Sequence, residues 1–349
     1  MLIPKRLVAP RGAVFPTVAW DSPGGLIRSQ PTEDTVLDFA TAVIVGLCDH
    51  PRWLPCRFLY DERGSRLFDL ICETPEYYLT RSEAAILEAS AESIRDLTGP
   101  VTLVELGSGS SVKTGHLLSV YADAFPTTHY VPVDVSEAAL RQAARAIAAA
   151  HPSVRVDSVH GRYETAFPLL RKLSPAMLLF LGSTIGNFNQ TEASLFWEHV
   201  ARYVRPGDFV LLGVDLVKDA RVLEAAYNDA AGHSADFTRN LFVRMNRELG
   251  AGVDPNAITH HARYHDEWQR IEIHARFNAD QTIHLRPLER TVRIRAGERI
   301  MTEISRKYVL EDLEQYLTCF GLDVRRVFTD ERQWFAVLLL QRSPHATDS

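Results

Sequence analysis

The 349 residues carry a formal charge of -6, with 46% hydrophobic and 23% charged side chains, which is the balance of a soluble globule. That charge speaks against a nucleic-acid partner, which needs a basic surface, and no apolar run approaches the ~18 residues of a membrane span. Four cysteines without a CxxC pair fit free thiols in a reducing cytoplasm, and the proline-broken opening MLIPKRLVAPRG is a poor signal peptide.

Residues 1–31 mix Pro and Gly without a sustained period and read as an irregular arm, docked by Trp20. A helix is expected from near Asp34 to about Cys48, then helices over Ser65–Glu73 and Ser82–Ile94 around the turn Thr74-Pro75-Glu76. Aromatics crowd this region at Phe58, Tyr60, Phe68, Tyr77 and Tyr78. Tyr77 and Tyr78 are adjacent and cannot share a helix face, so one of them is expected at a pocket or in solvent.

From Val101 the chain alternates apolar strands with helices. Strands are expected at Val101–Leu106, His129–Asp134, Val154–Val159, Met177–Leu181 and Phe209–Asp215. The helices between them fall near Thr114–Ala124, Glu137–Ala150, Glu164–Leu173 and Glu192–Val204. Near-continuous apolar strands in βαβ repetition imply a parallel sheet covered on both faces. After helices at Arg221–Ala230 and Asp236–Leu249, the period-2 runs IEIHARF, TIHL and TVRIRAGERIMTEISRKY read as one antiparallel sheet. A helix at Glu311–Phe320 and strands Asp323–Phe328 and Trp334–Gln341 then return to the parallel sheet as a hairpin. The expected division is an arm over 1–31 and a helical part of a substrate lobe over 32–97. A cofactor domain follows over 98–220 and 309–343, with an inserted β lobe over 221–308.

The turn Gly107-Ser108-Gly109-Ser110-Ser111 after the first strand places backbone N–H groups at a helix N-terminus. Val112 stands where a dinucleotide fingerprint has its third glycine, which weakens a phosphate-cradle reading. Asp134 at the end of the next strand is an acid placed to accept from ribose hydroxyls. Glu-x-Gly-x-Gly followed by such an acid resembles class I S-adenosylmethionine methyltransferases, so the fold expected is α/β, a Rossmann-like sheet with an α+β substrate lobe.

YDERGSRLFDLICETPEYY, ELGSGSSVKT, LGSTIGNF, AYND and MTEISRKY occur in this order, and together they resemble the L-histidine Nα-methyltransferases of ergothioneine biosynthesis. The resemblance runs from about Arg57 to the last strand. It implies S-adenosylmethionine held by Gly107, Lys113, Asp134, Arg162 and Tyr163, with Tyr60 and Phe68 bordering cofactor and amine, and Tyr60 orienting the amine. It implies further that Gly182, Asn187 and Tyr227 meet the amino-acid carboxylate side, Glu303 and Ser305 the imidazole, and Tyr77 and Ile273 the pocket wall. Three departures stand out: Arg162 replaces an acid beside the aromatic, Ile273 a methionine, and Leu79 a proline after the tyrosines.

Glu303 and Ser305 sit at i and i+2 of a strand, so both face one way and offer partners for the two ring nitrogens. A solvated strand carboxylate is the plainer reading of Glu303 alone, as a helix cap is of Asn187 and a core aromatic of Tyr227. The rival substrate is another aromatic amino acid, though an indole offers only a donor. A nucleotide-dependent oxidoreductase is disfavoured by the broken glycine pattern. Zinc at His260, His261 and His265 lacks an H-E-x-x-H helix, so no metal is expected. The expected enzyme is a cytoplasmic monomer acting on L-histidine, with no nucleic acid or membrane partner.

Overall fold

The computed structural model describes residues 26–28, 36–109 and 111–343, so Trp20 and most of the expected arm lie outside the described residues. Leu26–Arg28, expected to be irregular, forms strand β1. Helices α1 (Val36–Cys48), α2 (Glu62–Glu73) and α3 (Leu79–Thr98) follow. The alternating part runs β2 (Thr102–Leu106), α4 (Gly115–Ala124), β3 (Thr128–Asp134), α5 (Glu137–Ala150), β4 (Val154–Val156), β5 (Ser158–His160), α6 (Tyr163–Leu173), β6 (Ala176–Phe180), α7 (Gln190–Tyr203) and β7 (Phe209–Asp215). Then come α8 (Ala220–Ala226), α9 (His233–Leu249) and strands β8 (Ile258–His265), β9 (Arg270–Phe277), β10 (Gln281–Leu285), β11 (Arg290–Ile294) and β12 (Arg299–Arg306). The chain closes with α10 (Leu310–Thr318), β13 (Leu322–Thr329) and β14 (Phe335–Arg342).

The main sheet has the order β1-β5-β3-β2-β6-β7-β14-β13, with β4 also beside β3. Strands β2, β3, β5, β6 and β7 are parallel, whereas β14 is inserted antiparallel between β7 and β13. This is the Rossmann-like class I methyltransferase sheet. Successive side chains leave by opposite faces: Leu103 and Leu179 join the core under α3 and α4, while Val104 and Leu178 join the core under α6, α7 and α10. The strand order reverses at β2, so the crevice at the carboxyl ends of β2, β3 and β6 is the natural ligand site. β1 adds to the otherwise free edge of β5, which supplies the backbone partners an edge strand leaves open.

The period-2 segment forms two sheets where one was expected. β12, β9 and β8 make one antiparallel sheet, and ITHHARYH, not read among the alternating runs, supplies its β8. β10 and β11 pair only with each other among the described residues. The His284 N–H of β10 donates to Ala251 O at 2.9 Å, so that edge docks beside the end of α9. Helix α9 packs on β8 and on α2. Asp61 of YDERGS joins these helices: it caps α2 through the Gly64 N–H at 2.8 Å and accepts from Asn240 at 2.7 Å and Arg247 at 2.8 Å. Helix α3, assigned from sequence to the substrate lobe, lies instead against α4, β7, β13 and β14 of the main sheet.

Candidate active site

At the cofactor end, the turn after β2 is tied to β3. Val133 O accepts from the Gly107 and Ser108 N–H groups at 2.8 and 3.2 Å. Gly107 has φ +69°, and a Cβ there would stand 3.0 Å from the Tyr163 hydroxyl, so both conformation and space require glycine. Asp134 accepts the Gly109 N–H at 2.9 Å and the Ser136 N–H at 2.8 Å. Burial raises its pKa above the ordinary value, and those backbone donors oppose the rise. Tyr163 stands edge-on to Phe180 with ring centroids 5.5 Å apart. Arg162, the residue before α6, lines a cleft of about 420 Å³ together with Asp38, Trp53 and Arg57.

Lys113 turns toward the junction of β2 and β6. Its ammonium pairs with the fully buried Glu83 of α3, and the same carboxylate accepts the Gly182 N–H at 2.7 and 2.9 Å. Beneath the glycine turn, Glu105 accepts from Thr114 at 2.8 Å and from Tyr130. Burial pushes the Glu105 carboxyl up to about 7 against those donors and Lys113.

At the other end, aromatic rings enclose a pocket. Tyr60 meets Phe68 and Phe237 edge-on at 5.6 and 5.2 Å, and Tyr77 meets Phe68 at 6.1 Å and Tyr227 at 5.9 Å. The turn Thr184–Asn187 after β6 reaches this pocket because Gly186 lies flat on β12. A Cβ on Gly186 would fall 2.9 Å from Arg306 O. The Asn187 side-chain amide has no hydrogen-bond partner among the described residues.

On β12, Glu303 and Ser305 pair across to Ile273 and Ile271 of β9, so these two polar residues share a face, just past a bulge between Met301 and Glu303. The Glu303 carboxylate has no hydrogen-bond partner among the described residues, and burial pushes it up to about 7, opposed by Lys307. Ser305 and the Tyr227 hydroxyl lie 2.8 Å apart. Lys307, fully buried, donates to each of them at 2.8 Å and to Asp215 at 2.8 Å. Asp215 also accepts from Tyr78 at 2.8 Å and from Lys218. Burial alone would discharge Lys307, but Asp215 and Tyr227 outweigh it and hold its pKa above the ordinary value. Burial lowers Lys218 to about 8 despite Asp215.

The structure therefore brings Tyr60, Phe68, Tyr77, Tyr227, Ile273, Glu303 and Ser305 together, and Gly107, Asp134 and Tyr163 to the neighbouring crevice, while Arg162 lines the cleft with Asp38, Trp53 and Arg57. Lys113 and Gly182 meet through Glu83 between the two. Both tyrosines of the pair are buried: Tyr77 faces the pocket and Tyr78 faces Asp215. Sequence reasoning missed Lys307, Asp215 and Glu83. Two of them carried a signal, since Lys307 continues the same-face series of Glu303 and Ser305, and Asp215 ends β7 as Asp134 ends β3. His260 is held by Thr238 and Tyr227 O at 2.8 Å each, and among the described residues no group of three or more His, Cys, Asp or Glu could hold a metal ion.

The chain is similar to three proteins of described function. The histidine N-alpha-methyltransferase of Mycolicibacterium smegmatis is 40% identical over 86% of this chain and 94% of its own length. That of Mycobacterium tuberculosis is 39% identical over 85% and 92%. Ergothioneine biosynthesis protein 1 of Neurospora crassa is 31% identical over 79% of this chain, which spans 32% of that longer protein. Residues 39–342 also match the family model described as histidine-specific methyltransferase, SAM-dependent, and the chain belongs to that family of S-adenosylmethionine-dependent enzymes.

Proposed function

We propose that the protein trimethylates the α-nitrogen of L-histidine with S-adenosylmethionine, giving the betaine that opens ergothioneine biosynthesis. The observation that carries this reading is Glu303: a carboxylate without a hydrogen-bond partner among the described residues, beside Ser305 at the end of an aromatic pocket. Such a site rejects side chains that leave its polar groups unpaired. Asn187 and Tyr227 would take the substrate carboxylate, and Tyr77 and Ile273 the pocket wall.

Bound S-adenosylmethionine supplies an electrophilic methyl group on a sulfonium sulfur. Asp134 would accept from its ribose, the Gly107 turn would admit it closely, and Tyr163 and Arg162 would border its adenine end. This donor set fits the group, because the Cβ-free turn and the acid at the end of β3 are already joined through Gly109. Tyr60 orients the neutral amine for in-line attack, and holding the reactants in register provides most of the acceleration. Each round forms an N–C bond, breaks an S–C bond, and follows loss of one amine proton while the amine still carries one.

No helix among the described residues is long and apolar enough to cross a membrane. We assign the enzyme to the cytoplasm as a monomer, with substrate recognition in the lobe built from 221–308 and helices α1 and α2. Incubation with S-adenosylmethionine and a mixture of all amino acids, read by mass spectrometry, should add three methyl groups to histidine. Glu303→Ala should raise the KM for histidine at least tenfold and erode its preference over tryptophan. Preferred methylation of tryptophan by the native enzyme, or unchanged histidine kinetics in Glu303→Ala, would sink this reading.

A further inference from the structure

We propose that Lys307 is a positioning residue that holds the Tyr227 and Ser305 hydroxyls in one hydrogen bond, so that, with Tyr227 donating to the substrate carboxylate, the imidazole ring meets two acceptors, Glu303 and Ser305. The inference rests on the reading of this pocket as a histidine site and specifies how the ring is protonated there.

Protons and lone pairs decide which hydroxyl donates. An ammonium has three N–H donors and no acceptor. Those of Lys307 go to Asp215, Tyr227 and Ser305, each at 2.8 Å, so one lone pair on each hydroxyl is filled. The two hydroxyl oxygens are themselves 2.8 Å apart, a contact that is attractive only with a proton between them. Of two hydroxyl protons, one lies in that contact and one is left for substrate. Of four lone pairs, two receive Lys307, one receives the neighbouring hydroxyl and one remains free. The hydroxyl that accepts its neighbour has no lone pair left and donates outward, while the other presents an acceptor.

A substrate carboxylate brings no proton and can be met only by a donor. With Tyr227 donating to it, Ser305 spends its proton on Tyr227 and turns a lone pair to the ring. Glu303 is the second acceptor. The ring then binds with both nitrogens protonated, or with one N–H and a protonated Glu303. Either way, ring and Glu303 together hold one proton more than neutral imidazole beside a carboxylate.

Free imidazole titrates near ~6.5, and burial sets Glu303 at about 7, so near pH 8 the extra proton is drawn from solution on binding. The other titratable groups facing Glu303 are Lys307, Cys56, Tyr60 and Tyr77, and burial raises that thiol to about 12 and both phenols well above their ordinary value. Facing Lys307 are Asp215, Tyr227, Tyr264, Tyr308 and, beyond Asp215, Tyr78 and Lys218, and burial raises the Tyr308 phenol above its ordinary value. Of the lysines and tyrosines there, Lys218 at about 8 is the one placed to titrate in the same window. Its contribution persists in a Tyr227→Phe variant, whereas the ring-linked proton does not.

The test is calorimetric binding of 3-(imidazol-4-yl)propionate, which has ring and carboxylate but no amine, to the enzyme loaded with S-adenosylhomocysteine. Measured near pH 8 in two buffers of different protonation heat, the native enzyme should take up about one proton per ligand. Its affinity should fall roughly tenfold between about pH 7.5 and 8.5. In Tyr227→Phe, Ser305 is free to donate to the ring, and uptake should fall below half a proton although affinity also drops. In Lys307→Met, Asp215 keeps Tyr78 and Lys218, and nothing holds the two hydroxyls together, so uptake should fall likewise with S-adenosylhomocysteine affinity unchanged. Native binding without proton uptake overturns this inference alone. Undiminished uptake in a folded Lys307→Met removes Lys307 from the role, and if that variant does not fold, Tyr227→Phe decides. Absence of histidine methylation by the native enzyme overturns the substrate reading, and this inference with it.

Discussion

Asp134 and Glu303 are both carboxylates raised by burial, and their partners separate their work. Asp134 already holds two backbone N–H groups and keeps a fixed orientation, whereas Glu303 has no hydrogen-bond partner among the described residues. Asp134→Ala should weaken S-adenosylhomocysteine binding by about tenfold or more, since a charge-assisted hydrogen bond contributes ~1.5–3 kcal/mol. Calorimetry on the folded variant checks this, and an unchanged dissociation constant would remove Asp134 from the cofactor site. Asp134 and Glu303 could be singled out from sequence because Asp134 closes a strand pattern and Glu303 lies within one, each beside a recognisable motif. Glu83 could not. It lies in a helical stretch with nothing to announce that the Gly182 N–H and the Lys113 ammonium converge on it from two distant loops.

Segment by segment, the parallel half of the fold was readable because βαβ repetition writes itself as apolar runs divided by capped helices. The inserted half was less so. ITHHARYH carries its strand period on Ile258 and Ala262, with histidine and arginine around them, and that polarity hid β8. The β10–β11 pair stands apart from the three-stranded sheet, and β10 meets Ala251 through a backbone bond that no side-chain pattern encodes. The short turn Thr184–Asn187 was read for Asn187 alone, as a carboxylate contact or a helix cap, yet its fit against β12 sets where Asn187 stands. Gly186→Ala would put a Cβ against the Arg306 backbone at 2.9 and 3.1 Å, contacts that flexible side chains cannot relieve. Overpacking of this kind costs ~1–3 kcal/mol. The variant should melt earlier, and its KM should rise several-fold for histidine while that for S-adenosylmethionine holds. Equal changes in both constants would show that the turn serves the cofactor as much as the substrate.

Taken whole, the molecule keeps a buried carboxylate beneath its glycine turn, and this shapes its response to pH. Glu105 is held at about 7 against an ordinary 4.5, so the folded state binds its proton more tightly than the unfolded chain does. Its contribution to stability is therefore full at low pH and is lost as pH rises from about 4.5 to about 7. The displacement corresponds to at most about 3 kcal/mol. Glu105→Gln cannot ionise, so its denaturant midpoint should gain on the native protein between about pH 5 and 8; a constant offset would exclude Glu105 from the pH response. A helix's apolar stripe declares that it is buried but not against what, which is why the sequence division grouped α3 with the substrate lobe although it packs on the main sheet. The place of β14 has a consequence for the order in which the molecule is made. Strand β14, later in the chain than every other strand described, lies between β7 and β13, not at the sheet's rim. Until it emerges, β7 offers an open edge, and β13 has no neighbour in the sheet to join. Synthesis runs from one end to the other, but the central sheet closes from the middle, so a nascent chain halted before Phe335 would hold its substrate lobe and glycine turn with an exposed seam between two strands. Protease resistance of the methyltransferase sheet should therefore appear only once Phe335–Arg342 has emerged.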